Sequence, residues 1–205
     1  MPTVVIERPY NPVPMEPPRK KWTRAECVAM EASGVWDQQQ RLELVEGDLI
    51  NKMGKNRPHT NVLIIVQAWL MRVFGEQYVN PETPIDVAPE DNPTSEPQPD
   101  LIVLARPSQE FRTGNPQPAD IRLAVEISDS TLRFDRTVKA RLYARAGIIE
   151  YWVVDVTARS LVVHRDPLNG LYQSVTVYND QESVSPLASP GSEFPVGDAF
   201  PPPLA

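Results

Sequence analysis

Residues 121–128 read IRLAVEIS, an apolar run of strand-forming residues with one carboxylate, Glu126, held between Val125 and Ile127 near its end. The pattern predicts a buried strand. An ionised carboxylate there is costly unless it is paired, hydrogen-bonded or bound to a metal. Any fold open to this chain must therefore bring a cation or hydrogen-bond donors to residue 126.

The neighbouring segments build a domain around that strand. Asp135 is placed to cap a helix running to about Ala146, with Gly147 in the C-terminal capping position. Glu150 to Val156 (EYWVVDV) predicts another strand, and residues 161–165 and 171–178 a hairpin around Asn169-Gly170. Upstream, Leu101 to Ala105 predicts a short buried strand, and Tyr78 to Val87 a further one. Apolar residues at Val62, Ile65, Val66, Trp69, Leu70 and Val73 have helical spacing, with Gly75 as a stop. Thr23 and Glu26 form a capping-box pattern for a helix to about Ser33, ended by Gly34. Arg41 to Asn51 alternates as two short strands or one kinked strand, with a turn at Gly47-Asp48. The order of elements predicts an α/β fold, a central mixed β-sheet flanked by helices.

A chain of 205 residues suits one such domain. Many of its 23 prolines lie near the ends, which predicts an extended arm over 1–21, a folded domain over 22–186 and a weakly ordered tail over 187–205. A single cysteine, Cys27, excludes an internal disulfide framework and a cysteine-held zinc, and suits the cytoplasm. The longest apolar stretch is too short for a membrane span, and no signal-peptide pattern is visible. A net charge of −7 argues against non-specific coating of nucleic acid. It is compatible with carboxylates gathered around a divalent cation. Basic residues still cluster at Arg19 to Arg24 and at Arg133 to Arg145, where a phosphate backbone is a natural partner.

Three carboxylates carry the candidate chemistry. Asp100 follows Pro99 at the entrance to one apolar strand, Glu126 lies in another, and Glu43 sits in ELVEG before the long helix. Two such strands side by side would deliver both acids to one cleft, as a magnesium site requires. Lys139, one turn before Tyr143 on the helix after the Glu126 strand, could orient water or steady charge on a phosphate.

The segments ELVEGDL (43–49), PDLIVL (99–104), VEISDST (125–131), DRTVK (135–139) and YARAGIIEYWVVD (143–155) together resemble the Uma-two family of restriction-endonuclease-like proteins, from about Trp22 to Pro186. The resemblance implies the PD-(D/E)XK nuclease fold, with Asp100 and Glu126 as acidic metal ligands, Glu43 as a further one, and Mg2+ or Mn2+ as cofactor. The lysine that such nucleases carry two residues after the second acid is Ser128 here, and Lys139 stands in its place on the following helix. His59, Asp135 and Tyr143 match family positions without an assigned role.

Structural readings stand beside these. Asp100 could be a strand-entry residue, Glu126 one half of an ion pair with Arg122 or Arg141, and Lys139 a solvated helix charge. Glu46 and Asp48 compete with Glu43. Asp135 reads as a helix cap, His59 as a helix-start residue, Tyr143 as a packed phenol, and Trp69 and Trp152 as core. The resulting expectation is a metal-dependent endonuclease acting on double-stranded DNA, acting as a homodimer through the hairpin or the arm. The alternative is a non-catalytic nucleic-acid-binding or assembly module on the same fold.

Overall fold

A computed structural model describes residues 19–34, 41–52 and 56–201. Six strands form the central sheet: β3 (Val79–Pro81), β4 (Leu101–Leu104), β5 (Ile121–Ser128), β6 (Glu150–Asp155), β7 (Ser160–Leu168) and β8 (Leu171–Asn179), in that spatial order. Only β5 and β6 run parallel. Parallel neighbours need a crossover, and it is the helical segment Leu132–Ala146. The β7–β8 turn places Asn169 and Gly170 at φ 53° and 75°, the left-handed pair that a two-residue hairpin requires.

Strand alternation sorts the core into two faces. Leu101, Val103, Leu123, Val125, Trp152 and Val154 pack against helix α2 (Arg57–Phe74). Ile102, Leu104, Ala124, Tyr151 and Val153 pack with Tyr143 and Ala140 of the crossover. Asp100 and Glu126 are even-numbered on the same two strands, so the pleat directs them to the crossover side.

The capping box at Thr23 opens helix α1 (Arg24–Ala32) as the sequence indicates. Strands β1 (Leu42–Val45) and β2 (Asp48–Asn51) form a separate hairpin. Its turn falls on Glu46-Gly47, one residue earlier than expected, with φ 49° and 79°. The hairpin docks on the loop before β4 through Glu96 N–H to Leu44 O and Gly47 N–H to Thr94 O.

Three expectations are corrected. The strand expected over 78–87 stops at Pro81, where Pro81 and Pro84 withdraw backbone donors. The crossover begins at Leu132, a turn before Asp135, so Asp135 is not its cap. The tail expected to be weakly ordered instead packs where it is described. Phe194, Val196, Ala199 and Phe200 join the α2-side core, and β9 (Ser183–Val184) pairs with β10 (Phe194–Pro195). Most of the proline-rich arm lies outside the described residues. Among the described residues no helix is long and apolar enough to cross a membrane.

Candidate active site

Leu101 pairs with Val125 across β4 and β5. Asp100 and Glu126 are the next residues outward on the two antiparallel strands, so they lie side by side where β4 begins. The Asp100 carboxylate turns toward the neighbouring strand, and its Oδ2 accepts from Ile127 N–H at 2.9 Å. Both acids line a cleft of about 200 Å³ that also takes in Glu43, Lys52, His59 and Lys139.

The crossover aims its side chains by an irregular turn. Residues Leu132–Phe134 (α3) and Ala140–Ala146 (α4) are α-helical, and Asp135–Lys139 between them form a π-turn, with Ala140 N–H reaching back to Asp135 O. In a regular α-helix, every four-residue step overshoots one turn by about 40°. A wider turn reduces that drift. Asp135, Lys139 and Tyr143, spaced by four, therefore stay on one inward line, and all three are buried.

Lys139 is 2% exposed and is the hub of this line. Its Nζ lies 2.8 Å from Glu126 Oε1, 2.9 Å from Glu43 Oε1 and 3.9 Å from Asp135 Oδ1. Tyr143 donates to the same Glu126 oxygen at 3.2 Å. Glu43 is not a surface charge: its second oxygen accepts from Gln98 N–H at 3.1 Å. Its two rivals are engaged elsewhere, Glu46 with Arg145 and Asp48 with Lys21. Glu126 pairs with Lys139 rather than with Arg122 or Arg141. Ser128 occupies the usual lysine position and donates to Asp135 Oδ2 at 2.6 Å, with Thr131 donating to the same oxygen.

At the other end of the cleft, His59 Nε2 lies 3.4 Å and Lys52 Nζ 3.8 Å from the Asp100 carboxylate. His59, which the sequence offers as a family position or a plain helix-start residue, faces this acid, and Lys52 joins it without any sequence signal of its own. Asn56 caps α2 through its side chain to His59 N–H. That cap sets His59 on the first turn, above β4.

The charges are unequal. Four buried carboxylates (Glu43, Asp100, Glu126, Asp135) face two lysines. Burial pushes Glu126 up to about 8, with Lys139 opposing and Asp100 and Asp135 adding to the rise. Burial would lower Lys139, but Glu126, Glu43 and Asp135 outweigh it and hold the ammonium charged. Burial also opposes ionisation of Asp100, yet His59, Lys52 and the Ile127 amide hold it well below the usual carboxylate range.

The sequence model of the Uma2 family, described as "putative restriction endonuclease", matches residues 26–197. The chain belongs to the Uma2 family. The Uma2 chain also superposes on a crystal structure from Anabaena variabilis ATCC 29413, described as a putative nuclease belonging to DUF820. The TM-score is 0.61 at 16% identity, covering 83% of this chain and 95% of that one. That likeness supports the nuclease-like mixed α/β fold. No curated protein matches the chain.

Among the described residues no three His, Cys, Asp or Glu side chains converge as a ready-made metal ligand set. The hydrogen bonds explain why. Both Glu43 oxygens are engaged, while Asp100 Oδ1 and Glu126 Oε2 take no hydrogen bond from the described residues. Two hard oxygen donors on adjacent strands, in a pocket with excess negative charge, fit a divalent cation.

Proposed function

We propose that this Uma2 protein is a Mg2+- or Mn2+-dependent endonuclease that hydrolyses DNA phosphodiester bonds. The supporting observation is the meeting, in one cleft, of Asp100 and Glu126 from neighbouring strands with the Lys139 ammonium. Asp100 and Glu126 would hold the cation through the two oxygens left unbonded. Glu43 is the further ligand in this reading, at the cost of one present contact. When bound, the cation supplies Lewis-acid polarisation of the scissile phosphate.

The protein's own groups do the rest. An ammonium has three donors. Lys139 directs two at Glu126 and Glu43, which leaves one for a phosphate oxygen or for orienting the attacking water. Tyr143 fixes the Glu126 carboxylate from behind. His59 and Lys52 stand at the mouth beside Asp100 and position the incoming phosphate. A homodimer belongs to the same reading. Light scattering of the full chain tests it.

One observation favours the alternative, a non-catalytic module: Lys139 already neutralises two of the acids. Plasmid nicking with magnesium and manganese separates the two readings. The nuclease reading expects nicking by the wild type and none by Asp100→Ala or Glu126→Ala, each folded by circular dichroism. Retained nicking in both variants overturns the site, and a wild type that neither binds manganese nor nicks DNA favours the module.

A further inference from the structure

The outer side of the crossover carries chemistry that the cleft does not use. Arg133, Arg136 and Arg141 are exposed there, and none makes an ion pair among the described residues. Arg24, Arg106, Arg145, Arg159 and Arg165 each sit against a carboxylate. Other arginines are also without an ion pair among the described residues, but these three stand within nine residues of one another. In a chain of net charge −7, three unneutralised guanidinium groups on one short segment make a distinct positive surface.

That surface is grooved and joined to the cleft. Ser130, Thr131 and Phe134 line both the cleft and a second hollow beside Arg133. Thr137 lines that hollow and also a third one, of about 180 Å³, which holds Arg136, Arg141, His164 and Tyr172. His164 lies in the wall of the third hollow, 3% exposed. Its Nδ1 is buried without a hydrogen-bond partner among the described residues. A buried ring nitrogen with no partner is unusual in a folded protein, and the hollow that this residue lines also holds the unpaired Arg136 and Arg141. Burial, opposed by the nearby Tyr151 and Val162 backbone and helped by the Arg136 charge, holds this imidazole down to about 4. The ring is therefore neutral at physiological pH, and an anion in the hollow would favour its protonated, donating form.

We propose that this groove is a phosphodiester-binding track, running from the cleft along the crossover's outer side to an anion subsite made by Arg136, Arg141 and His164. The proposal rests on the nuclease reading, and it adds where the strand lies beyond the scissile phosphate. Arginine suits the role because its planar fork can meet two phosphate oxygens at once. The Ser130 hydroxyl along the path adds a neutral donor, while the Thr131 and Thr137 hydroxyls already donate to Asp135 Oδ2 and Arg133 O. The contacts carry no base recognition; they fix the strand's register over the cleft.

The chain has two histidines, so imidazole NMR reads cleft and track separately. The full protein is titrated with a short duplex oligodeoxynucleotide in calcium, and binding is measured at several salt concentrations. The track expects the His59 and His164 resonances to shift together. It also expects the double variant R136Q/R141Q, altered only at exposed positions, to lose the His164 shift while keeping the His59 shift. Each phosphate contact contributes about 0.9 to the slope of log affinity against log salt, so the double variant should lower the slope by about 1.8. A shift at His59 alone, or an unchanged slope in the variant, overturns the track and leaves the nuclease reading standing. No shift at either histidine removes both. A shift at His164 alone keeps the subsite but removes the nuclease reading.

Discussion

The cleft has two ends with the same ingredients and different fits. At the inner end, Lys139 touches Glu126 and Glu43 at 2.8 and 2.9 Å, with all three side chains 2–4% exposed. At the mouth, Lys52 and His59 stand 3.8 and 3.4 Å from Asp100, and they are 11% and 14% exposed. The inner end is a tight ionic clamp between a strand, a hairpin and a helix. The outer end has slack, which a phosphate or cation needs in order to enter. Stability and binding are thus divided between two carboxylate–cation sets that share one pocket.

Removing one ammonium from each end should give the largest contrast. Lys139→Ala leaves buried acids without their counter-charge, and loss of one partner from a buried pair costs about 3–5 kcal/mol. Lys52→Ala removes the hydrogen bond from Lys52 Nζ to Gln98 O at 2.5 Å and the long contact with Asp100, so its cost should be smaller, about 1–2 kcal/mol. Urea denaturation measures both. Equal losses would mean that the two ends do not differ as described.

Asp100→Asn should come next, now in function rather than stability. The amide oxygen can still accept from Ile127 N–H, so the fold survives. Loss of an outer partner in a metal site costs roughly 10–100-fold in affinity. Loss of this direct donor should weaken manganese binding by more than that in calorimetry.

The inner end should also tie binding to pH. Burial pushes the Glu126 carboxyl up to about 8, so a proton competes with a metal for it increasingly as pH falls below that value. The sign follows: affinity for manganese rises by about tenfold per pH unit from pH 6 toward 8 and levels off above. Calorimetry across that range checks it, and Glu126→Gln should flatten the profile. A pH-independent wild type would place Glu126 outside the metal's reach.

The smallest effect is expected at His59. His59→Gln leaves stability within about 0.5 kcal/mol, because the ring makes only one long polar contact, and slows nicking by about tenfold. An unchanged nicking rate would return His59 to its plain helix-start role.

The same contrast explains what the sequence could disclose. Glu126 was legible because a carboxylate amid Val125 and Ile127 demands a partner, and Asp100 because an acid opens an apolar strand. Lys139 could be named as a candidate, but its burial could not be foreseen from a helix of ordinary period. The π-turn hid it: the pattern that reads Asp135 as a cap assumes 3.6 residues per turn from there onward. Lys52 and His59 were obscure for another reason. One follows the β1–β2 hairpin and the other opens α2, and only tertiary docking sets both beside residue 100. Phe194 and Phe200 were masked by the prolines around them, although aromatic burial outweighs that local bias.

The wide turn at Asp135–Lys139 amounts to a helix carrying one surplus residue. Excising Thr137 would let the segment close into a regular spiral, with every side chain of the site chemically intact. Lysine would then follow Asp135 by three regular steps of about 100° each, roughly 60° short of the full turn it now completes, and lysine and tyrosine would leave Glu126 together. The aim of this ammonium is therefore set by a count of backbone units, which no exchange of side chains can restore.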